Sequence, residues 1–295
     1  MPVSSQSIRL PSYAKINLGL YVKGKRKDGF HDIETILQQI DLQDDIQLTV
    51  RKDRQIVFHS NAPSLPNDHT NLCFRAAKLL QEHAHVTSGA EIRLAKVIPV
   101  GAGLGGGSSN GAVTLLGLNR LWNLDLSVDM LTCLAAQLGS DVPFFIRGGT
   151  AFATGRGDRL EPLERPVAQK TILVVFPEIY VSTRWAYENL NLDLTMSKKN
   201  RNFLSFKDKI IKDVDFFGLL SNDFEATVFA KYPELAAVKR GMLENGAQFV
   251  SLSGSGSTIF GLFERKSRAE NAQRLFPDYR TFVSRFIAWG YDEIN

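Results

Sequence analysis

A glycine-rich segment at 101–111 constrains the folding of this 295-residue chain most strongly, because six of its eleven residues are glycine. Glycine loses more backbone freedom on folding than any other residue, so clusters are expected where the chain turns through positive φ or approaches a ligand closely. The segment follows an apolar run ending at Ile98 and precedes the apolar residues 112–118. It therefore predicts a strand–loop–helix connection whose helix, over 111–122, favours an anion such as phosphate at its N-terminus.

Other readings of this segment are weaker. Gly101, Gly103 and Gly106 fit the spacing of a dinucleotide-binding loop, but Asp125, at the required distance, lies in a turn instead of at a strand end. Residues 107–111 fit a hydrolase elbow, yet all five histidines precede residue 86, which contradicts the order of that triad. A tight connection that binds no ligand is the remaining alternative.

The composition is that of an ordinary soluble globular protein, with 44% hydrophobic and 22% charged residues. The formal charge of +4 is small and the basic residues do not form one stripe, which favours an anionic small substrate over nucleic acid. Cys73 and Cys133 form no CxxC pair, so neither a zinc site nor a disulfide framework is expected. We find no signal peptide and no run of eighteen apolar residues, and we expect a cytoplasmic protein without membrane contact.

Hydrophobic patterning predicts an α+β protein of two domains. Sheet dominates the first part, in which Thr70 is the predicted cap of the first helix and a strand at 91–98 leads into the glycine-rich segment. Helices near 183–190, 222–230, 233–245 and 266–276 interleave with strands in the second part. The linker-like residues around Pro166 place the boundary, giving domains over 1–165 and 166–295. Residues 194–212 are predicted to be a solvated insertion.

Several sequence blocks resemble one known family. The segment PVGAGLGGGSS at 99–109 resembles the ATP-binding signature of the GHMP kinases. Five further blocks, in order along the chain, narrow the resemblance to the branch that phosphorylates a cytidine-diphosphate conjugate in non-mevalonate isoprenoid synthesis. These blocks are AKINL at 14–18, DGFH at 28–31, GSDVPFF at 139–145, NDFE at 222–225 and SGSGS at 253–257.

The resemblance implies both a fold and a reaction. The fold has an N-terminal domain similar to ribosomal protein S5 domain 2 and a C-terminal ferredoxin-like domain, with the active site in the cleft between them. The reaction is the ATP-dependent phosphorylation of a hydroxyl group on the cytidylylated alcohol, with Mg²⁺ as the expected companion of ATP. Alternatives are another small-alcohol kinase of the homoserine or mevalonate type, or a non-catalytic ligand sensor. We expect a monomer or a weak homodimer.

Asp141 and Lys15 are the candidate catalytic residues. By resemblance, Asp141 accepts the proton of the substrate hydroxyl and Lys15 keeps Asp141 ionised while stabilising the alkoxide. From the residues alone, Asp141 also fits a turn and Lys15 also fits a solvent-facing strand position.

The resemblance also assigns the binding segments. Phe30 stands where the family usually has tyrosine, so the hydrogen bond of that hydroxyl is missing here. The candidate ATP-binding residues are Pro99, Val100, Gly101, Ala102, Gly103, Leu104, Gly105, Gly106, Gly107, Ser108 and Ser109. The candidate substrate-binding residues are Asn17, Phe30, His31, Thr183 and Tyr187, with the two aromatic rings as stacking faces for cytosine. No metal ligand is assigned.

Overall fold

The computed structural model describes residues 6–163, 170–190 and 216–287. Its first part is built on a hairpin of two long antiparallel strands, β1 (Ser7–Lys25) and β2 (His31–Arg51). Four shorter strands complete a six-stranded sheet: β3 (Ile56–Ser60), β4 (Gly89–Ala95), β5 (Thr150–Thr154) and β6 (Arg159–Leu163). The strand order is β3-β4-β2-β5-β6, and β1 pairs with β2 on the edge that β4 and β5 leave free.

Strand β2 is 21 residues long, but apolar and polar residues alternate clearly only near its end, at 46–50. Its first half pairs with β1 and β5, and neighbouring residues such as Ile36 and Leu37 are both buried. A strand covered on both faces does not alternate between apolar and polar residues, which explains why the pattern missed it. Strands β5 and β6 were not predicted either.

The helices of the first part pack on this sheet. Helix α1 (Leu72–His83) is capped by Asn71, whose side chain accepts from the amide of Cys73, so the predicted Thr70 cap is wrong. Helix α2 (Gly106–Leu121) begins five residues earlier than predicted. Helix α3 (Val128–Leu138) is capped by Ser127, and the short α4 (Phe144–Arg147) follows. The predicted strand at 91–98 ends at Ala95 instead.

The second part has the β-α-β-β-α-β pattern of a ferredoxin-like fold. Its four strands form an antiparallel sheet in the order β10-β7-β9-β8, with β7 (Thr171–Phe176), β8 (Phe249–Leu252), β9 (Ile259–Phe263) and β10 (Arg280–Arg285). The helices are α5 (Thr183–Glu188), α6 (Phe224–Lys231), α7 (Pro233–Glu244) and α8 (Lys266–Gln273), with a 3₁₀ turn at Phe216–Leu219. These positions agree with the predicted ones.

The two parts share a core and meet along β1 and β2. Leu20 of β1 bridges Asn222, and Ile40 of β2 bridges Phe286. One cluster of buried side chains joins Ile16 and Ile36 of the first part to Val174 and Phe260 of the second. The predicted boundary at 165/166 and the predicted insertion at 194–212 lie outside the described residues. Within the described ranges, no helix has the length and apolar content to cross a bilayer.

Candidate functional site

A cleft with a cavity volume of about 1080 Å³ opens where the two parts meet. Its wall combines the residue types that the sequence singled out: the two candidate catalytic residues, glycines of both glycine-rich segments and an aromatic group. Most of the predicted site residues thus lie around one cavity. They are Lys15, Asn17, Phe30, His31, Gly103, Gly105, Ser108, Asp141, Thr183 and Tyr187.

Lys15 and Asp141 face each other inside this cleft. Lys15 Nζ lies 3.8 Å from Asp141 Oδ2 and donates a 2.6 Å hydrogen bond to Asn17 Oδ1. The lysine is 4% exposed, whereas the Asp141 side chain is 40% exposed to the cleft. Burial lowers the pKa of Lys15, and the charge of Asp141 opposes that shift. The solvent-facing alternative for Lys15 is therefore wrong, and Asp141 keeps an accessible carboxylate next to a buried cation.

The first glycine-rich segment needs glycine at three positions in particular. Gly101, Gly103 and Gly105 have φ values of +68°, +79° and +68°, in the left-handed region that other residues rarely adopt. Gly106 does not have a positive φ; it starts helix α2 and packs on Ile98. A Cβ on Gly107 would meet only Leu72 Cδ1, at 3.8 Å, so this glycine leaves open space at the start of the helix.

The serines after these glycines face different surroundings. Ser108 lines the cleft, whereas Ser109 is fully buried and accepts a 2.8 Å hydrogen bond from Ser12. Ser109 thus anchors helix α2 to strand β1. The amide of Lys15 in turn donates to the carbonyl of Leu104, which fixes the loop beside the candidate catalytic lysine.

Asp44, which the sequence analysis missed, holds the start of the loop in place. Its carboxylate is fully buried and accepts from the amides of Val97 and Ile98, from Asn110 Nδ2 and from Lys96 Nζ, all within 2.7–2.9 Å. Burial lowers the pKa of Lys96, and the charge of Asp44 opposes that shift. The sequence does contain a sign that Asp44 is buried, because it continues the period-two alternation of the inward-facing Ile46 and Leu48. The adjacent Asp45 obscures that sign, because two consecutive aspartates are typical of a turn.

The second glycine-rich segment, 253–257, packs directly on the first. Ser253 Oγ donates to the carbonyl of Gly103 at 2.9 Å, and a Cβ on Gly103 would overlap the carbonyl oxygen of Ser253. Asn222 donates from its side chain to the carbonyls of Leu252 and Gly254. The NDFE block therefore supports the second segment, which in turn supports the first.

Aromatic residues form the other end of the cleft. His31 stacks on Tyr187 with ring centroids 4.7 Å apart, and Tyr187 packs edge-on against Phe224 at 4.8 Å. Burial lowers the pKa of His31, with a smaller contribution from Lys25. Burial and the nearby charge of Asp141 raise the pKa of Tyr187 to about 12. Thr183 contacts Ser255 through their hydroxyl oxygens at 3.0 Å, which links this end to the second glycine-rich segment.

Comparison with known proteins identifies the family. The model of the GHMP kinases N terminal domain matches residues 71–149, and that of the GHMP kinases C terminal domain matches residues 210–278. A 4-diphosphocytidyl-2-C-methyl-D-erythritol kinase from Prosthecochloris aestuarii is 44% identical over 93% of this chain and 96% of the relative. The enzyme of the same name from Bacillus velezensis is 42% identical over 93% of each chain.

Solved structures agree with this result. A crystal structure of 4-(cytidine 5'-diphospho)-2C-methyl-D-erythritol kinase superposes with a TM-score of 0.77 and 33% identity, over 95% of this chain and 99% of that one. Homoserine kinase from Cytophaga hutchinsonii gives a TM-score of 0.66 at 18% identity, over 98% and 97% of the chains, and so shows the fold alone. The chain therefore belongs to the GHMP kinases, within the family of 4-diphosphocytidyl-2-C-methyl-D-erythritol kinases.

Proposed function

We propose that this protein transfers the γ-phosphoryl group of ATP to the 2-hydroxyl of 4-diphosphocytidyl-2-C-methyl-D-erythritol. One observation carries the proposal: a single cleft holds the Lys15–Asp141 pair between the glycine-rich loop and the aromatic group of His31 and Tyr187. A phosphoryl transfer enzyme mainly has to position two substrates and stabilise developing charge. The cleft offers a separate surface for each substrate, with the candidate base between them.

Asp141 is the proposed acceptor of the hydroxyl proton. Its carboxylate is accessible from the cleft, and the Lys15 ammonium places positive charge 3.8 Å from it. The same ammonium stabilises negative charge on the attacking oxygen. Asn17 holds Lys15 Nζ through a 2.6 Å hydrogen bond and is itself held by Thr35, so Asn17 orients the lysine as well as lining the cleft.

ATP is the proposed phosphoryl donor, bound by the accessible part of the segment 99–109; Ser109 itself is fully buried and anchors helix α2. The start of helix α2 at Gly106 directs unpaired backbone N–H groups into the loop, an arrangement that favours phosphate. Mg²⁺ takes oxygen ligands and keeps several waters, so phosphate oxygens with Ser108 would fit it without a dedicated cage. When bound, the ion would neutralise charge on the phosphates.

The aromatic end of the cleft is the proposed site for the cytidine of the substrate. Tyr187 offers a ring for stacking, Phe30 is 56% exposed at the rim, and Thr183 and His31 offer polar atoms.

The boundaries of the two domains, a cytoplasmic location and a monomer or weak homodimer stay predictions.

A coupled ATPase assay tests the proposed function. Purified protein is given ATP with the cytidylylated alcohol, with homoserine or with mevalonate in parallel. We expect ADP to form with the cytidylylated alcohol but not with homoserine or mevalonate. Turnover of homoserine or mevalonate at a comparable kcat/KM would contradict the proposal.

A further inference from the structure

A charged side chain that the sequence analysis did not single out projects into the aromatic end of the cleft. Arg156 lines the cavity, and its guanidinium carbon lies 5.2 Å from the ring centroid of Phe30. Guanidinium groups stack favourably on aromatic faces, so this contact fixes the two side chains against each other. Together they form an exposed surface beside His31.

The turn between β5 and β6 is built to present this arginine. Gly155 and Gly157, on either side of it, have φ values of +67° and +89°. The amide of Ile33 donates to the carbonyl of Gly155 at 2.7 Å, which ties the turn to strand β2 two residues after His31. The backbone of the turn therefore holds Arg156 at a defined place relative to the aromatic group.

Asp158 orients the guanidinium without using all of its donors. Its carboxylate accepts from Arg156 Nε and Nη2 at 3.1 and 2.9 Å, and from the Arg156 amide at 3.1 Å. Burial by itself raises the pKa of Asp158, but these hydrogen bonds outweigh it and lower the pKa. An arginine carries five N–H donors, and we find no further acceptor for this one among the described residues.

We propose that Arg156 is a substrate-binding residue that grips the diphosphate of the cytidylylated alcohol. The inference rests on the proposed function and adds a residue to its acceptor site. An oriented guanidinium with unused donors matches phosphate oxygens, and Phe30 shields one face of it from water. The arginine also supplies a polar contact next to Phe30, which lacks a hydroxyl group.

Calorimetric titration of the full chain with CDP and with cytidine tests the inference, using Arg156→Gln. Charge-assisted hydrogen bonds to phosphate predict about 10- to 100-fold weaker CDP binding, with cytidine affinity changed less than about 2-fold. Arg159→Gln is the matched control, because Arg159 is exposed on the same hairpin. Arg156→Lys keeps the charge but loses the planar set of N–H donors, and it should give an intermediate CDP affinity.

Two outcomes would overturn the inference: unchanged CDP binding in Arg156→Gln, or an equal loss for CDP and cytidine. The same variants are assayed for turnover, where KM for the cytidylylated alcohol should rise and KM for ATP should not. Failure of the unmodified protein to phosphorylate that alcohol would reject the proposed function, whereas a normal KM in Arg156→Gln would reject only the role of Arg156.

Discussion

The ammonium group of Lys15 lies 3.8 Å from the Asp141 carboxylate, at the boundary between a buried strand and an open cleft. The two groups therefore differ sharply in solvation: the lysine is enclosed by protein, whereas the aspartate is accessible to solvent in the cleft. The buried ammonium thus places positive charge next to the carboxylate without covering it. This arrangement suits a residue that must receive a proton from a bound hydroxyl.

Asp141→Asn should lower kcat by about 10²- to 10⁴-fold, the usual cost of losing a general base, and leave both KM values nearly unchanged. Asp129→Asn is the control, since Asp129 is exposed in the neighbouring helix and pairs with Arg147. Lys15→Met should also lower kcat. Because the two residues act as a unit, the double variant should retain more activity than the product of the single losses predicts. A folded Asp141→Asn protein with more than about a tenth of normal kcat would reject the role of base.

On the proposal that phosphate binds at the start of helix α2, Gly107→Ala should weaken binding of an ATP analogue by about 10- to 100-fold, because the added Cβ would narrow the open space beside this residue. The substitution should not unfold the protein, since alanine is favoured over glycine inside a helix. Gly111→Ala serves as the control: it lies in the same helix and would make only ordinary contact with Leu72. Equal analogue affinities in the two variants, measured by calorimetry, would argue against phosphate at the loop.

Tyr187→Ala should raise KM for the cytidylylated alcohol by roughly 10-fold or more, through the loss of one stacking face. KM for ATP should not change, and Tyr187→Phe should be mild. Trp185→Phe is a control on the same helix, because the Trp185 ring contacts Tyr232 and Lys231. If the constants for ATP and substrate moved together in steady-state assays, Tyr187 would not belong to the cytosine site.

Asp44→Asn should lower the free energy of unfolding by about 3–5 kcal/mol, since it leaves the buried Lys96 ammonium without its counter-charge. The next residue provides the control. Asp45 pairs with Arg9 at the surface, and Asp45→Asn should cost only about 0–1 kcal/mol. Urea denaturation measures both changes in the free energy of unfolding. If Asp44→Asn cost as little as Asp45→Asn, the carboxylate of Asp44 would not be needed to hold the loop.

The two cysteines should differ in reactivity and in their effect on alkaline stability. Burial raises the pKa of Cys73 from 9.0 to about 12, whereas Cys133 is exposed. A thiol reagent at about pH 8 should therefore modify one thiol per native chain. Because the unfolded state loses the Cys73 proton first, stability should fall as pH rises above 9.0, and Cys73→Ala should reduce that fall. A second rapidly modified thiol, or an unchanged alkaline profile in Cys73→Ala, would contradict this account.

Within the described residues, the sequence predicted the second half of the chain closely, because its short strands and helices alternate with clear apolar patterns. It predicted the first half less well. Strand β2 is buried on both faces at Ile36 and Leu37, so its sequence lacks a period of two. Helix α2 starts within glycines that disfavour a helix, and buried contacts of Ser109 and Asn110 stabilise that start instead.

For the candidate site, sequence blocks identified residues that the fold brings around one cleft, including Lys15 and Asp141. They did not identify Asp44, which supports the loop from outside the cleft, or Arg156, which lines the cleft. Asp44 supports the loop only because β2 carries it beneath Lys96, and Arg156 faces Phe30 only because β5 pairs with β2. Such relationships depend on strand register, which a single sequence does not specify where both faces of the sheet are covered.

The hydrogen bond from Ser253 to the carbonyl of Gly103 spans 150 residues of sequence, so it forms late during synthesis of the chain. A ribosome that adds 5–20 residues per second incorporates Ser253 roughly 8–30 s after Gly103. During that interval the loop lacks its packing partner from the second part, and contacts within the first part, such as those of Asp44 and Ser109, restrain its shape. The loop thus reaches its final packing only after the segment that carries Ser253 has been synthesised and has docked on it.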